Sequence, residues 1–586
     1  MMAHLRSPGI LMPALTGWVT LSLARGALAH GGHGGMEMTE ADKPLPEDQY
    51  PPTYFAHPDH KAAIYGHIVL MVLGWMFVLP AAVMLSLARS RYTLYVQFSF
   101  LALNTGGMLL GIVYNASTPD LYPNNAHHKT GWIVTIAAVS QVAIGILARV
   151  AGMMKRGQLG NVGERQGFIP VSTEAIQAHE SGFPGPYRRF SHDSGQGTEL
   201  GSETLRSHSI PSPPTSPTIP SHLAHKEYQH DDGFEDEDLD YNVPSLKKTG
   251  KALSMMAKVA GKISDRFWKI LMFAYNFVDR TILLLSFIAL CTGVITYARF
   301  FEGNGIFSGL AHWIKGGVFI WLGWWTLARW AGSFGDLGWA WNVRPKKAGQ
   351  KWCPSAEFVE SALIFFYGST NVFLEHLGNW GGEWSSQDLE HVSITVLFIG
   401  GGLCGMLIES IRIRNLLNFH VVETAQEDHI DRDQLREPET YAFSLNPIPA
   451  LVIILTGLMM SSHTQESMIS TMVHKQWGDL ITAASLSRGL SYVVMYLKAP
   501  KTIYPSRPPT ELLTAFGLTA GGFMFMASSS DTVDGMIHYQ LNPMFMYTVT
   551  MGFVALMMAW VILLVALKGW AEKREAAGRL TGKAFA

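Results

Sequence analysis

Apolar residues along this chain fall in long runs, not in strand-like alternation. Runs of about 18 or more such residues recur at 63–87, 92–114, 130–150, 270–297, 312–330, 357–377, 391–411, 447–463, 479–496, 511–529 and 545–567. Each is long enough to cross a bilayer as a helix rising about 1.5 Å per residue. The pattern predicts an all-α, polytopic transmembrane helical bundle of about eleven spans. The eighth run extends past Ser462, and the ninth carries Arg488. Residues 151–267 break the pattern. They hold PSPPTSPTIPS at 211–221 and DDGFEDEDLD at 231–240, a composition that cannot bury enough apolar area to fold. We read them as a long disordered cytoplasmic loop, with Ser212 and Ser216, each before proline, as candidate phosphorylation sites for kinases or adaptors. The loop separates a three-helix block at 63–150 from a multi-span domain at 268–568 and a tail at 569–586.

Basic residues set the orientation. Arg89 and Arg91 follow the first run, Arg149, Lys155 and Arg156 the third, and Arg344, Lys346 and Lys347 the fifth. Arg412 and Arg414 follow the seventh, Lys498 and Lys501 the ninth, and Lys568, Lys573 and Arg574 the eleventh. Odd-numbered spans therefore end in the cytosol, which puts the N-terminus outside and the C-terminus inside. Asn115, in the sequon Asn115-Ala116-Ser117, falls in the first outer loop. Arg6, the apolar stretch ILMPALTGWVTLSLA and Ala27-Leu28-Ala29 have the order of a cleaved signal peptide over 1–29. A His- and Gly-rich exoplasmic segment, 30–62, would follow, and His30 and His33 could hold copper or zinc there. The expected location is an integral membrane of the secretory route.

Composition narrows the partners. Of 586 residues, 48% are hydrophobic and 15% charged, so the bilayer is the expected environment. A formal net charge of −2 offers no basic surface for nucleic acid. Cys291, Cys353 and Cys404 are too few and too scattered for a disulfide framework or a cysteine zinc site.

Candidate chemistry gathers on the outer side. His67 opens the first span, His127 and His128 the third and His312 the fifth. Glu375 and His376 close the sixth, and Glu390 and His391 open the seventh. His463, Glu466 and His474 lie within a narrow arc of one helical face. Asp531, Asp534 and His538 share a face if their loop is helical. Imidazoles and carboxylates converging from several helices can hold a transition metal, Fe, Cu or Zn. The expected metal ligands are Glu375, His376, Glu390, His391, His463, Glu466, His474, Asp534 and His538. Their alternative role is as solvated groups at the membrane rim.

HIVLMVLGWMFVLPAAVMLSLAR in the first span and HHKTGWIVTIAAVSQVAIGILAR in the third resemble transmembrane b-type cytochromes that take electrons from ascorbate. The resemblance implies one haem b near the outer leaflet, held by His67 and His128. The second span, YTLYVQFSFLALNTGGMLLGIVY, lacks histidine, and the fourth has Asp279-Arg280 where the cytochromes carry a ligand. At most one haem is therefore implied, and electron transfer across the membrane through two haems is not expected. The whole chain outside 1–56 and 151–267, with GWAWN, LEHLGNWGGEW and SSHTQE, is similar to the fungal Ytp-type membrane protein family. That resemblance implies the architecture without a reaction. The function expected is a membrane oxidoreductase or electron-transfer protein. The alternatives are a transporter or channel for metal ions or protons, suggested by the Met-rich helices, or a non-catalytic scaffold.

Overall fold

The computed structural model describes residues 43, 44, 46, 50–165, 263–303, 305–345, 353–371, 382–427 and 436–584. The expected signal peptide, His30, His33 and the loop beyond Arg165 lie outside these residues. Among the described residues the regular elements are all helical: α1 (Lys61–Leu87), α2 (Thr93–Ser117), α3 (Ala126–Arg165), α4 (Asp265–Ala298), α5 (Gly305–Ala331), α6 (Ala356–Asn371), α7 (Ser386–Glu409), α8 (Ile411–Glu427), α9 (Ile448–Ser461), α10 (Met468–Leu497), α11 (Pro509–Ala527), α12 (Ser530–His538) and α13 (Pro543–Ala584). Two short 3₁₀ turns accompany them. Eight helices are long and apolar enough to cross a membrane: α1, α2, α3, α4, α7, α10, α11 and α13. The three other expected runs are also helices. Of these, α5 carries Lys315 and Arg329, α6 has 16 residues and α9 has 14.

The chain divides into two compact units. In the second, residues 146–240 and 244–263, the described part is the continuation of α3. Everything that follows concerns the first unit. Helix starts follow local chemistry. Ser385 and Asp388 form a reciprocal capping box at α7, and the Ser467 hydroxyl accepts from the Ser470 amide at α10.

Glycine sets how close the helices come. The α5 and α11 backbones meet at Gly316 and Gly522, where a Cβ on either would stand 2.6 or 2.5 Å from the other's carbonyl oxygen. A different face of α11, at Gly517, lies on α10. The α9–α10 contact repeats the device with Gly457 and Gly478. Lipid gives helices no hydrophobic reason to associate, so close packing at small residues supplies the attraction. The N-terminal block packs Trp75, Leu79, Phe100, Val134, Ala138 and Ile282 into its own core. Helix α13 ties it to the rest, with Trp560 Nε1 donating to Met76 O at 3.1 Å and Glu575 accepting from the Arg91 amide at 3.2 Å.

A lattice of charge lies buried at one end of the C-terminal helices. Arg488 donates to Glu360 Oε1 at 2.7 Å, to Glu511 Oε2 at 3.0 Å and to Thr326 Oγ1 at 2.8 Å. Arg329 donates to the same Glu360 oxygen at 3.2 Å, to Glu357 at 3.0 Å and to Trp339 O at 2.7 Å. Its guanidinium stacks over Trp341 and Trp325 at 4.3 and 4.9 Å. All five charged groups are buried. The lattice joins α5, α6, α10 and α11. An isolated ion could not remain at such depth, because an unpaired buried charge is strongly destabilising.

Two consequences can be measured. Arg488→Leu strands Glu511 and weakens Glu360, and should lower stability by about 3–5 kcal/mol, seen as a fall in melting temperature in detergent; an unchanged melt would show that the lattice contributes nothing. Gly522→Val drives a side chain into the α5 backbone and should cost about 1–3 kcal/mol or more, with loss of monodisperse elution; wild-type behaviour would refute the close approach.

Candidate imidazole sites

Four histidines meet in two pairs at the same end of the bundle. This is the end where Tyr122 Oη donates to Phe300 O at 2.7 Å and the Phe301 amide donates to the Asp531 carboxylate. In the N-terminal block the rings of His67 on α1 and His127 on α3 have centres 6.2 Å apart and planes at 82°. In the C-terminal helices His312 on α5 and His474 on α10 have centres 6.0 Å apart and planes at 88°. The Arg–Glu lattice lies toward the opposite end. Arg329 is 17 residues along α5 from His312, or about 26 Å.

The proton positions follow from the partners. A carbonyl oxygen only accepts, so a ring nitrogen bonded to one carries the proton. His67 Nδ1 lies 2.8 Å from Gly107 O, His312 Nδ1 2.8 Å from Ser308 O and His474 Nδ1 2.8 Å from Ser470 O. His127 Nδ1 lies 3.3 Å from Thr292 Oγ1, whose own proton goes to Ala289 O at 2.9 Å. That hydroxyl therefore accepts. In all four rings Nδ1 is the donor, which leaves Nε2 with its lone pair. Metal-ligating histidines adopt this division, one nitrogen fixed by a hydrogen bond and the other free for the metal.

Ring separation discriminates between ligand geometries. Two imidazoles on opposite sides of one metal, with bonds of about 2.0–2.1 Å, put their centres roughly 6 Å apart, whereas a tetrahedral angle brings them to roughly 5 Å. The centre separations of both pairs lie nearer the opposed value than the tetrahedral one. Around the first pair glycine makes room. A Cβ at Gly111 would stand 2.7 Å from His67 Nδ1, and one at Gly293 would stand 3.1 Å from His127 Cε1. Two imidazoles with Nδ1 committed and glycine against each ring are the donor set that a bis-histidine haem would take.

The partner of His67 is thus His127. His128, the expected partner, is exposed, with its amide on Asn125 Oδ1. Helical phase explains the change. His127 lies 7, 11 and 14 residues before Val134, Ala138 and Gln141, all buried, so it continues the inward stripe. His128 is in phase with the exposed Val139. At the other end of this block Gln141 Nε2 donates to Asp279 Oδ1 at 2.7 Å, both buried.

The expected carboxylate–imidazole metal centre comes together only in fragments. Glu375 and His376 lie outside the described residues. His463 Nε2 meets Glu390 Oε2 at 3.5 Å, and His391 is within electrostatic range of His312. Glu390 and Glu466 are both exposed. Asp534 is exposed on α12, and His538 stacks on Tyr50 with centres 3.7 Å apart. Among the described residues no group of three or more His, Cys, Asp or Glu side chains is placed to hold a metal ion. His474 is the one expected metal ligand found in an imidazole pair, and its partner, His312, was not among those expected. Arg329, Glu357, Glu360 and Glu511 were not expected as a cluster either. Their spacing carried a partial signal, because Glu357 and Glu360 at i and i+3 share a helix face.

Comparison with known proteins places the chain. Residues 285–569 match the family described as Protein YTP1-like, C-terminal, and residues 48–151 match a domain of unknown function, DUF2427. An uncharacterized membrane protein of Schizosaccharomyces pombe is 32% identical over 524 residues, covering 87% of this chain and 94% of that protein. An uncharacterized membrane protein of Saccharomyces cerevisiae is 31% identical over 576 residues, covering 92% of this chain and 87% of that one. Protein YTP1 of Saccharomyces cerevisiae is 25% identical over 178 residues, about 30% of each chain. No solved structure matches. Similarity to the Schizosaccharomyces pombe protein over nearly its whole length, together with the match across 285–569, makes this chain an integral membrane protein of the YTP1-like family.

Proposed function

We propose that the protein is a membrane electron-transfer protein whose N-terminal block holds one b-type haem between His67 and His127. The observation that carries this reading is the 6.2 Å separation of two perpendicular imidazoles, each with its Nδ1 proton committed elsewhere. Haem iron held by two imidazoles exchanges single electrons. The chain supplies the rest. Gly107 O and Thr292 Oγ1 fix the tautomers and leave Nε2 of each ring as the nitrogen that would ligate. Gly111 and Gly293 let the rings lie flat against α2 and α4.

The pair belongs to the exoplasmic end in this reading. Arg89 and Arg91 follow the far end of α1, and basic residues prefer the cytoplasmic side. A protein of the secretory route, with its N-terminus outside and its C-terminus in the cytosol, follows from the same asymmetry.

The visible spectrum of purified, monodisperse protein tests the reading. A reduced-minus-oxidised spectrum should show a b-type haem. His67→Ala and His127→Ala should each remove one equivalent of haem per chain, whereas His128→Ala should keep it. Folded protein without haem, or haem lost with His128→Ala and kept with His127→Ala, would refute the assignment.

A further inference from the structure

The Asp279 carboxyl lies buried in the N-terminal block, at the end away from the imidazoles, and takes no part in holding the haem. Gln141 of α3 donates to its Oδ1 at 2.7 Å, and the Ser86 hydroxyl of α1 stands within hydrogen-bonding reach. Ser86 Oγ is in turn bonded to Tyr275 Oη at 2.9 Å, one turn before Asp279 on α4. All four side chains are buried. Among the described residues no ion pair reaches the carboxyl. Arg280, the next residue, is the charge that bears on it. Its side chain is exposed, and adjacent helix positions do not face each other. The other charges at this end are engaged elsewhere: Arg91 pairs with Glu575 of α13 at 3.6 Å, and Arg574 lies over the Tyr92 ring. A buried carboxyl without a counter-ion sheds its charge by binding a proton. As an un-ionised acid, Asp279 accepts from Gln141 and can donate to Ser86, whose own proton then goes to Tyr275.

Polar groups continue from this carboxyl to the end of the block. After α1 the chain turns back at Arg89, with φ 51°, and the Ser90 amide donates to Leu85 O at 2.9 Å. Ser90 is thereby held against the last turn of α1, close to Ser86. Its hydroxyl, fully buried, donates to Glu575 Oε1 at 3.4 Å, and the Arg91 side chain beside Glu575 is 42% exposed. Toward the imidazoles, by contrast, α3 and α4 bury Ala138, Val134 and Ile282, all apolar. We propose that Asp279 is a proton-binding site, loaded and emptied from the Arg91 end by way of Glu575, Ser90 and Ser86. On loading, a proton from water at that end forms an O–H bond with the carboxylate. On release it returns the same way, and no other reactant is consumed. The site stores a proton at one face and gives it no passage across the bilayer. It does not depend on haem, so either assignment can fail alone.

Infrared spectra of the full-length protein in detergent provide the test, because an un-ionised carboxyl has a carbonyl stretch that a carboxylate lacks. At neutral pH the wild type should show such a band, and the band should shift in heavy water. Asp279→Asn copies the shape of the un-ionised acid. It should fold with an unchanged melting temperature and lose the band. Gln141→Leu removes the donor to Oδ1 and should displace the band without abolishing it, which decides the matter even where Asp279→Asn fails to fold. Ser90→Ala should slow the shift in heavy water. Absence of an un-ionised carboxyl band in the wild type would overturn the site, as would a band that neither Asp279→Asn nor Gln141→Leu alters. Exchange as fast in Ser90→Ala as in the wild type would refute the route.

Discussion

Inside hydrocarbon no water is at hand to satisfy a polar group, so each must find its partner within the protein. This one constraint explains most of the placement of charge and imidazole. Arg329 and Arg488 do not sit near the carboxylates by chance; Glu360 accepts from both, and Glu357, Glu511, Thr326 and Trp339 take the remaining donors. Four helices are fixed to one another because five charges cannot be buried any other way. The same rule gives each paired histidine a hydrogen-bond acceptor at Nδ1. Once that proton is placed, the lone pair at Nε2 has one direction left to face.

The bundle is chemically asymmetric. Salt-bridged charge lies toward one end of the C-terminal helices, and four imidazoles lie toward the other. In the N-terminal block the end away from His67 and His127 holds the Gln141–Asp279 hydrogen bond. A relay of histidines through the thickness of the bilayer is not what this arrangement offers. Both pairs share an end. Aromatic groups lie between the two blocks partway along the helices, with Phe287 of α4 against Trp321 and Trp324 of α5.

Much of the architecture was legible before any coordinates, because hydrocarbon-length apolar runs have few alternatives to helix. All eleven runs are helical over their described residues. Of the three not among the membrane-crossing eight, α6 and α9 are short, and α5, 27 residues long, is rich in glycine and tryptophan and carries Lys315 and Arg329. The gathering of histidines at one side was also legible, since short basic loops alternate so regularly along the chain. The pairings were not. Choosing His127 over His128 requires the phase of α3 to be followed to Val134 and Ala138, where each residue turns the face by about 100°. Matching His312 with His474 requires knowing that α11 lies between their helices, a tertiary fact with no local trace. The Arg–Glu lattice was hidden for the same reason. Each of its members looks like an ordinary charge at the end of a span until four helix ends are brought together. Adjacent Glu-His pairs in the sequence, by contrast, drew attention to a turn whose described carboxylate, Glu390, is exposed.

The central claim is that perpendicular imidazoles about 6 Å apart hold iron between them. Low-temperature electron paramagnetic resonance of the oxidised, purified protein reads this directly. The account predicts a low-spin ferric signal of two-histidine character that vanishes when either His67 or His127 is replaced by alanine. A high-spin signal, or no iron at all in correctly folded protein, would contradict it.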